Sequence, residues 1–330
     1  MAAKPPLSDH RPREKKFSFY SILSLKGRGN YQLSIINYQL LKPTFQNRSP
    51  SLRSLIMVEL STTTSNKNRP NLQAWYRPTF SPEQGILLVL GGSFITGAAL
   101  AQEWTNSTTL ALICAFFALQ AEHPLVVQIK QRRSWKPRFL IWGGLYGGIA
   151  MAIAGWLYFQ SPCLLWIYGL AIVALVADSI AVLKRKQKSI LNELIGFTAI
   201  CLSAPLAYIA TTGHISLAAM AMWIVNTLFF SSAIFTLKLR KKKTSSPVPG
   251  MIYHGTAVLI ILSLYCFNCL NIATALSYTV ALVKLVAIAC QLDWYRTTKF
   301  HFVAIFETRF ALLYIAIAAI SVLPAHLPRV

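Results

Sequence analysis

Acidic residues are the scarcest kind of charge in this chain. Ten Asp and Glu stand against 32 Lys and Arg in 330 residues, and only three of the ten are Asp, at positions 9, 178 and 293. Two aspartate-rich motifs able to hold a diphosphate through magnesium cannot be assembled from three aspartates, which excludes that route to diphosphate chemistry. Cysteine is sparse too, at 114, 163, 201, 266, 269 and 290, and only Cys266 and Cys269 have a motif-like spacing. One CxxC in an apolar run, without a second pair or a nearby His, does not make a zinc site, so no metal centre is expected. A Gly-rich phosphate loop, a nucleophile elbow and an HExxH helix are all missing. No cofactor can be named from the residues.

Charged residues of both signs make up only 13% of the chain, whereas 55% is hydrophobic and the mean hydropathy is +0.49. That is too apolar for a soluble domain, and the apolar runs repeatedly reach the length needed to span a bilayer. The net charge of +22 does not point to nucleic acid, because the cations sit in the breaks between apolar segments and do not alternate with aromatics along a groove. The expected fold is all-α, a polytopic transmembrane helical bundle embedded in a lipid bilayer. Apolar helices are predicted at 84–101, 108–129, 139–159, 163–183, 190–210, 217–237, 251–270, 273–292 and 302–323, about nine in all.

Basic clusters lie at 130–138, 184–188 and 238–243, and at Arg296 with Lys299, each after an even-numbered helix. The intervening connections, 102–107, 160–162, 211–216 and the break at Asn271, contain no Lys or Arg. By the positive-inside rule the N-terminus and every basic loop are expected in the cytoplasm, with the C-terminus outside. A bacterial plasma membrane is the expected setting, ahead of an organelle membrane.

Residues 1–56 differ from the rest of the chain, with ten Lys or Arg, two acids and no spanning segment. Asn30-Tyr-Gln-Leu returns as Asn37-Tyr-Gln-Leu without heptad logic, so translated repetitive DNA ahead of a start at Met57 is the first reading. A transit peptide and a disordered tail are the others. Residues 57–82 read as a polar lead-in with Trp75 and Tyr76 suited to the bilayer interface, and 83–325 as one transmembrane domain.

With this orientation the acids gather on one side. Glu83, Glu193 and Glu307 open odd-numbered helices, where the helix dipole favours a carboxylate. Asp178 lies six residues before Lys184 and Glu122 eight before Lys130, roughly 9 and 12 Å inside their helix ends. A carboxylate within a span is costly and should face a bundle interior or a wet cavity, so Glu122, His123, Asp178 and Glu193 are the candidate catalytic group. Glu83, Glu307, Arg309 and the loop cations Arg132, Arg133 and Lys136 are the candidate substrate-binding residues, the cations holding an anionic head group. Pro124, unable to donate to the carbonyl of Gln120, should kink its helix. Asn226 reads as an interhelical hydrogen-bonding residue, and Gly143-Gly144 and Gly147-Gly148 as close-packing sites.

Ser81-Pro82-Glu83-Gln84-Gly85 stands just ahead of the first apolar run, and His123-Pro124-Leu125, Asn192-Glu193-Leu-Ile-Gly196 and Ala204-Pro205-Leu206-Ala207 come later. In these motifs the chain resembles the YwiC-like family of bacterial multi-pass membrane proteins over roughly 76–323, with Gln84 where that family usually has His. The resemblance implies a polytopic membrane protein and no particular activity. From the residues themselves two classes stay open. One binds or acts on an anionic amphiphile or lipid from a cytoplasm-facing polar cavity, with no nucleic-acid partner. The other is a small-solute or anion transporter, for which Pro124 and Pro205 would be matching helix breaks.

Overall fold

The computed structural model describes residues 79, 84–130, 137–184, 186–240 and 246–323, and among these every regular element is helical. The chain forms α1 (Gln84–Ala101), α2 (Asn106–Lys130), α3 (Pro137–Gln160), α4 (Leu164–Leu183), α5 (Ile190–Thr212), α6 (Leu217–Lys238), α7 (Val248–Cys266), α8 (Ile272–Cys290), the short α9 (Leu292–Thr297) and α10 (Phe300–Val322). Eight of them, α2 to α8 and α10, are long and apolar enough to cross a membrane. The first expected span is present as the shorter α1, which is no peripheral addition: Phe94, Ser93 and Thr96 are completely buried.

Local chemistry sets the boundaries. Pro247 and Pro249 start α7 ahead of the expected residue 251, since a proline costs no hydrogen bond in a first turn. Asn268, in the left-handed region at φ 54°, turns the chain just beyond Cys266, and the Asn271 side chain then caps α8 by accepting from the Thr274 amide at 2.6 Å. The expected break at Asn271 is therefore a five-residue turn, 267–271. Ser189 and Ser216 cap α5 and α6 in the same way, and Gly213, at φ 79°, closes α5. Helix α2 runs unbroken through Pro124, which is buried within it.

Helix α5 does break, at Leu202. Pro205 has no N–H for the carbonyl of Cys201, and Ser93 of α1 supplies the missing donor at 3.0 Å. Ser203 returns a bond to the carbonyl of Leu90, also at 3.0 Å. The two helices approach so closely that a Cβ on Gly97 would lie 2.1 Å from the Ala204 carbonyl oxygen, so only glycine fits there. Of the glycines read as packing sites, Gly143 and Gly147 do face α2, at Leu125 and Ala121, whereas Gly144 and Gly148 have no neighbour within 4 Å.

In their most apolar 18-residue stretches α5 and α6 are each 56% buried, against 11% for α4, which places the first two at the centre and α4 at the rim. One apolar core joins α1 to α5 and a second joins α5 and α6 to α7, α8 and α10. The outward face of α4, including Trp166, Ile172 and Val173, is apolar and exposed, as a lipid-facing surface must be.

The described helix ends that flank the basic connections lie together at one end of the bundle. There Lys238 at the end of α6 pairs with Glu193 at the start of α5 at 2.9 Å, Asn192 bonds Asp178 of α4, and Arg240 donates to the Thr298 carbonyl ahead of α10. The opposite end is tied by neutral groups: Gln102 to the Val322 carbonyl, Ser107 to Gln160, Thr108 to Thr211, and Asn271 to the Ser321 carbonyl.

Candidate functional site

The seam between α6 and α10 carries two polar nodes. The deeper one centres on Asn226, as the sequence leads one to expect for that residue. Its amide donates to Ser93 at 3.1 Å and Thr96 at 2.8 Å on α1, while its oxygen accepts from the Tyr314 hydroxyl at 2.8 Å. Tyr314 stacks on Phe229 with ring centres 3.7 Å apart. Every member is neutral and buried, and each finds a partner.

Six residues along α6 from Asn226 and seven back along α10 from Tyr314, roughly 10 Å nearer the basic end, lies a charged node. Lys284 of α8, only 2% exposed, donates to Glu307 Oε2 and to Ser232 Oγ, both at 3.0 Å. Its ammonium sits 5.4 Å from the centre of the Phe229 ring. Glu307 Oε1 accepts from Thr236 of α6 and from Tyr295 of α9, each at 2.9 Å. A carboxylate with three donors and an ammonium with two acceptors and a ring face meet the conditions under which a charge pair is tolerated inside a span.

Helix α9 makes this node possible. Gln291, at φ −121° and ψ 41°, breaks the helical path after α8 and lets six residues fold back under the pair, which buries Tyr295 completely. Arg240 lies 5.9 Å from the centres of both the Tyr295 and Phe300 rings, closing the node on that side. Burial first, and the negative charge of Glu307 second, keep the Tyr295 phenol protonated far above the usual range. Nearby on α7, buried His254 places Nδ1 3.0 Å from the Tyr278 hydroxyl, and Tyr253 bonds Ser231 at 2.6 Å.

The candidate residues named from the sequence occupy several elements. Asp178 accepts from Asn192 at 2.7 Å, and Glu193, next along the chain, pairs with Lys238, so these two acids share the α4–α5–α6 edge. Glu307 belongs to the charged node, and Arg309, two residues on, is exposed. Glu122 and His123 are half-buried on α2. Glu83, Arg132, Arg133 and Lys136 lie outside the described residues, as do residues 1–56. A cleft of about 420 Å³ opens at the basic end between α2, α3 and α4, lined by Leu125, Val126, Ile129, Leu140, Leu175 and Leu183, with Gln128 and Ser179 as its polar members.

Lys284, Ser232, Thr236 and Tyr295 escape a reading of the sequence that tracks acids alone. The available signal was Lys284 itself. A lone cation six residues before the end of its apolar run is as costly as Asp178 in its own span, and it demands a buried carboxylate in the same way. The hydroxyls give no such signal, because Ser and Thr are common in membrane helices.

Among the described residues no group of three or more His, Cys, Asp and Glu side chains is arranged to hold a metal ion. Both the helices and their apolar exterior define a multi-pass membrane protein. Residues 80–208, from just ahead of α1 into the second half of α5, match the family model described as YwiC-like protein. The region that matches is shorter than the stretch of resemblance read from the motifs, and it stops before both polar nodes are complete. No curated protein and no solved structure matches the chain.

Proposed function

We propose that the protein binds an anionic amphiphile at its basic end, with that end facing the cytoplasm of a bacterial cell. The observation that carries this reading is the apolar cleft between α2, α3 and α4, of a size to take part of an acyl chain. Its lining residues Ile129 and Leu183 immediately precede Lys130 and Lys184, and Leu140 lies two residues beyond Arg138. An occupant with its tail in the cleft would place a head group among these cations and those of the connecting loop, Arg132, Arg133 and Lys136. Glu122 and His123 on one side, and Asp178 and Glu193 on the other, would be the groups to handle a proton of the bound molecule. The transporter reading is favoured by a different observation, the ion pair buried between α8 and α10.

Native mass spectrometry of the purified protein, exchanged with equal amounts of phosphatidylglycerol and phosphatidylcholine, tests the binding. Phosphatidylglycerol should be retained selectively. Replacing Arg132, Arg133 and Lys136 together by Ala should weaken retention about a hundredfold, at about 1 kcal/mol for each cation near a head group. Equal retention of the two lipids by the unaltered protein would remove this reading.

A further inference from the structure

We propose that Glu307 is a proton-binding site inside the membrane, reached from the basic end, with Lys284 as its fixed counter-charge. This stands apart from the amphiphile cleft, which lies on other helices.

Stability alone does not account for the pair. A buried ion pair is commonly no more stable than apolar residues of similar volume, whereas removing one partner is severe. Exposure is also unequal: the Lys284 side chain is 2% exposed and that of Glu307 16%, so Glu307 is the member of the pair with surface outside the node.

The hydroxyl groups around Glu307 supply the chemical argument. Thr236 Oγ1 lies 2.9 Å from Glu307 Oε1 and 3.2 Å from the Ala233 carbonyl oxygen, in positions to donate to either. Its single hydrogen can serve only one of them at a time. Two proton arrangements therefore fit the same heavy-atom positions. In the first, Glu307 is ionised and Thr236 donates to it. In the second, a proton delivered by hydronium forms an O–H bond at Oε1 and leaves water behind, the new acid donates to Thr236, and the Thr236 hydrogen turns to the Ala233 carbonyl. Oε2 continues to accept from Lys284, and Tyr295 continues to donate to Oε1. No buried polar group loses its partner, and the node changes from neutral to singly positive. An N–H donor in place of Thr236 could not reverse in this way.

The groups that face Glu307 are Lys284 from α8, Tyr295 from α9 and Thr236 from α6, with Arg240 beyond Tyr295. On its own helix Arg309 is exposed. Farther along the seam, His254 bonds Tyr278 of α8. The proton thus meets one fixed cation in the node and hydroxyls that can both donate and accept.

Infrared difference spectroscopy on the full chain in lipid films, recorded on acidification, reads this directly. The expected result is a carboxylic-acid carbonyl band that moves down in deuterated water and disappears in Glu307→Gln. Thr236→Val should keep the band but move it to higher wavenumber, because the acid O–H has lost its acceptor; a merely structural threonine would leave it in place. In Lys284→Met the band should be present before acidification, since a carboxylate left buried without its cation takes up a proton. Glu103→Gln, at the opposite end, should change none of these. A band unaffected by Glu307→Gln, or one that Thr236→Val does not shift, overturns the proposal.

Discussion

The two nodes of the α6–α10 seam solve one problem with different chemistry. At Asn226 a central amide is satisfied by three hydroxyls, and no charge is present. At Glu307 a full ion pair is held by three hydroxyls and a ring. Phe229 belongs to both, stacked on Tyr314 and facing the Lys284 ammonium. A neutral node in the middle of a span draws its partners from any short polar side chain and serves to lock α1, α6 and α10 together. A charged node must have its counter-ion, so it ties the bundle together only while both charges are there, and it can change state with one proton. The lesson is that depth and charge divide the labour along a single helix contact.

The largest expected effect would break this comparison outright if it failed. Glu307→Leu should destabilise the bundle by about 3–5 kcal/mol, because the Lys284 charge is left buried and uncompensated. The double replacement Glu307→Leu with Lys284→Met should recover most of that loss. Unfolding in mixed micelles, arranged as a double-mutant cycle, measures both. A double variant as unstable as the single one would show that the two residues do not act as a pair.

Asn226→Leu should cost less, about 2 kcal/mol, from three interhelical bonds at about 0.6 kcal/mol each. The same unfolding measurement applies. If this loss equalled that of Glu307→Leu, the distinction between neutral and charged nodes would have no energetic content.

Tyr295 gives the smallest effect and the finest test. Its folded-state phenol stays protonated well above the usual range, chiefly through burial. The unfolded phenol ionises near about pH 10. Above that pH the unfolded state holds fewer protons than the folded one, so stability falls as pH rises, by up to about 1.4 kcal/mol per pH unit from this group. Tyr295→Phe should flatten the decline in an unfolding series between neutral and alkaline pH. An unchanged slope would place the Tyr295 hydroxyl in contact with solvent rather than sealed against Glu307.

Much of this architecture is legible in the chain. The alternation of basic and uncharged connections places four cationic loops at one end, and the bonds at Lys238 and Arg240 gather those helix ends as the alternation requires. Asn226 is readable because an amide in an apolar helix needs a donor and an acceptor from a neighbour. Pro205 announces an unpaired carbonyl at Cys201, but nothing in the sequence names Ser93 as the donor that meets it. Pro124 carries an equal signal, yet α2 continues through it. Lys284 was legible and Tyr295 was not, since a tyrosine beside a basic connection is ordinary at a membrane interface.

By itself the sequence determined that the chain is a membrane-spanning helical bundle, how many apolar segments it has and which connections share an end, because these depend on the cost of backbone and charge in hydrocarbon. Only the tertiary structure decided which polar groups meet. The depth of a residue is set by its distance to a helix end, but its azimuth toward one neighbour or another depends on how ten helices pack. Glu307 and Lys284 stand at similar depths on separate helices, and packing, not sequence, turned them toward each other and brought α9 beneath them.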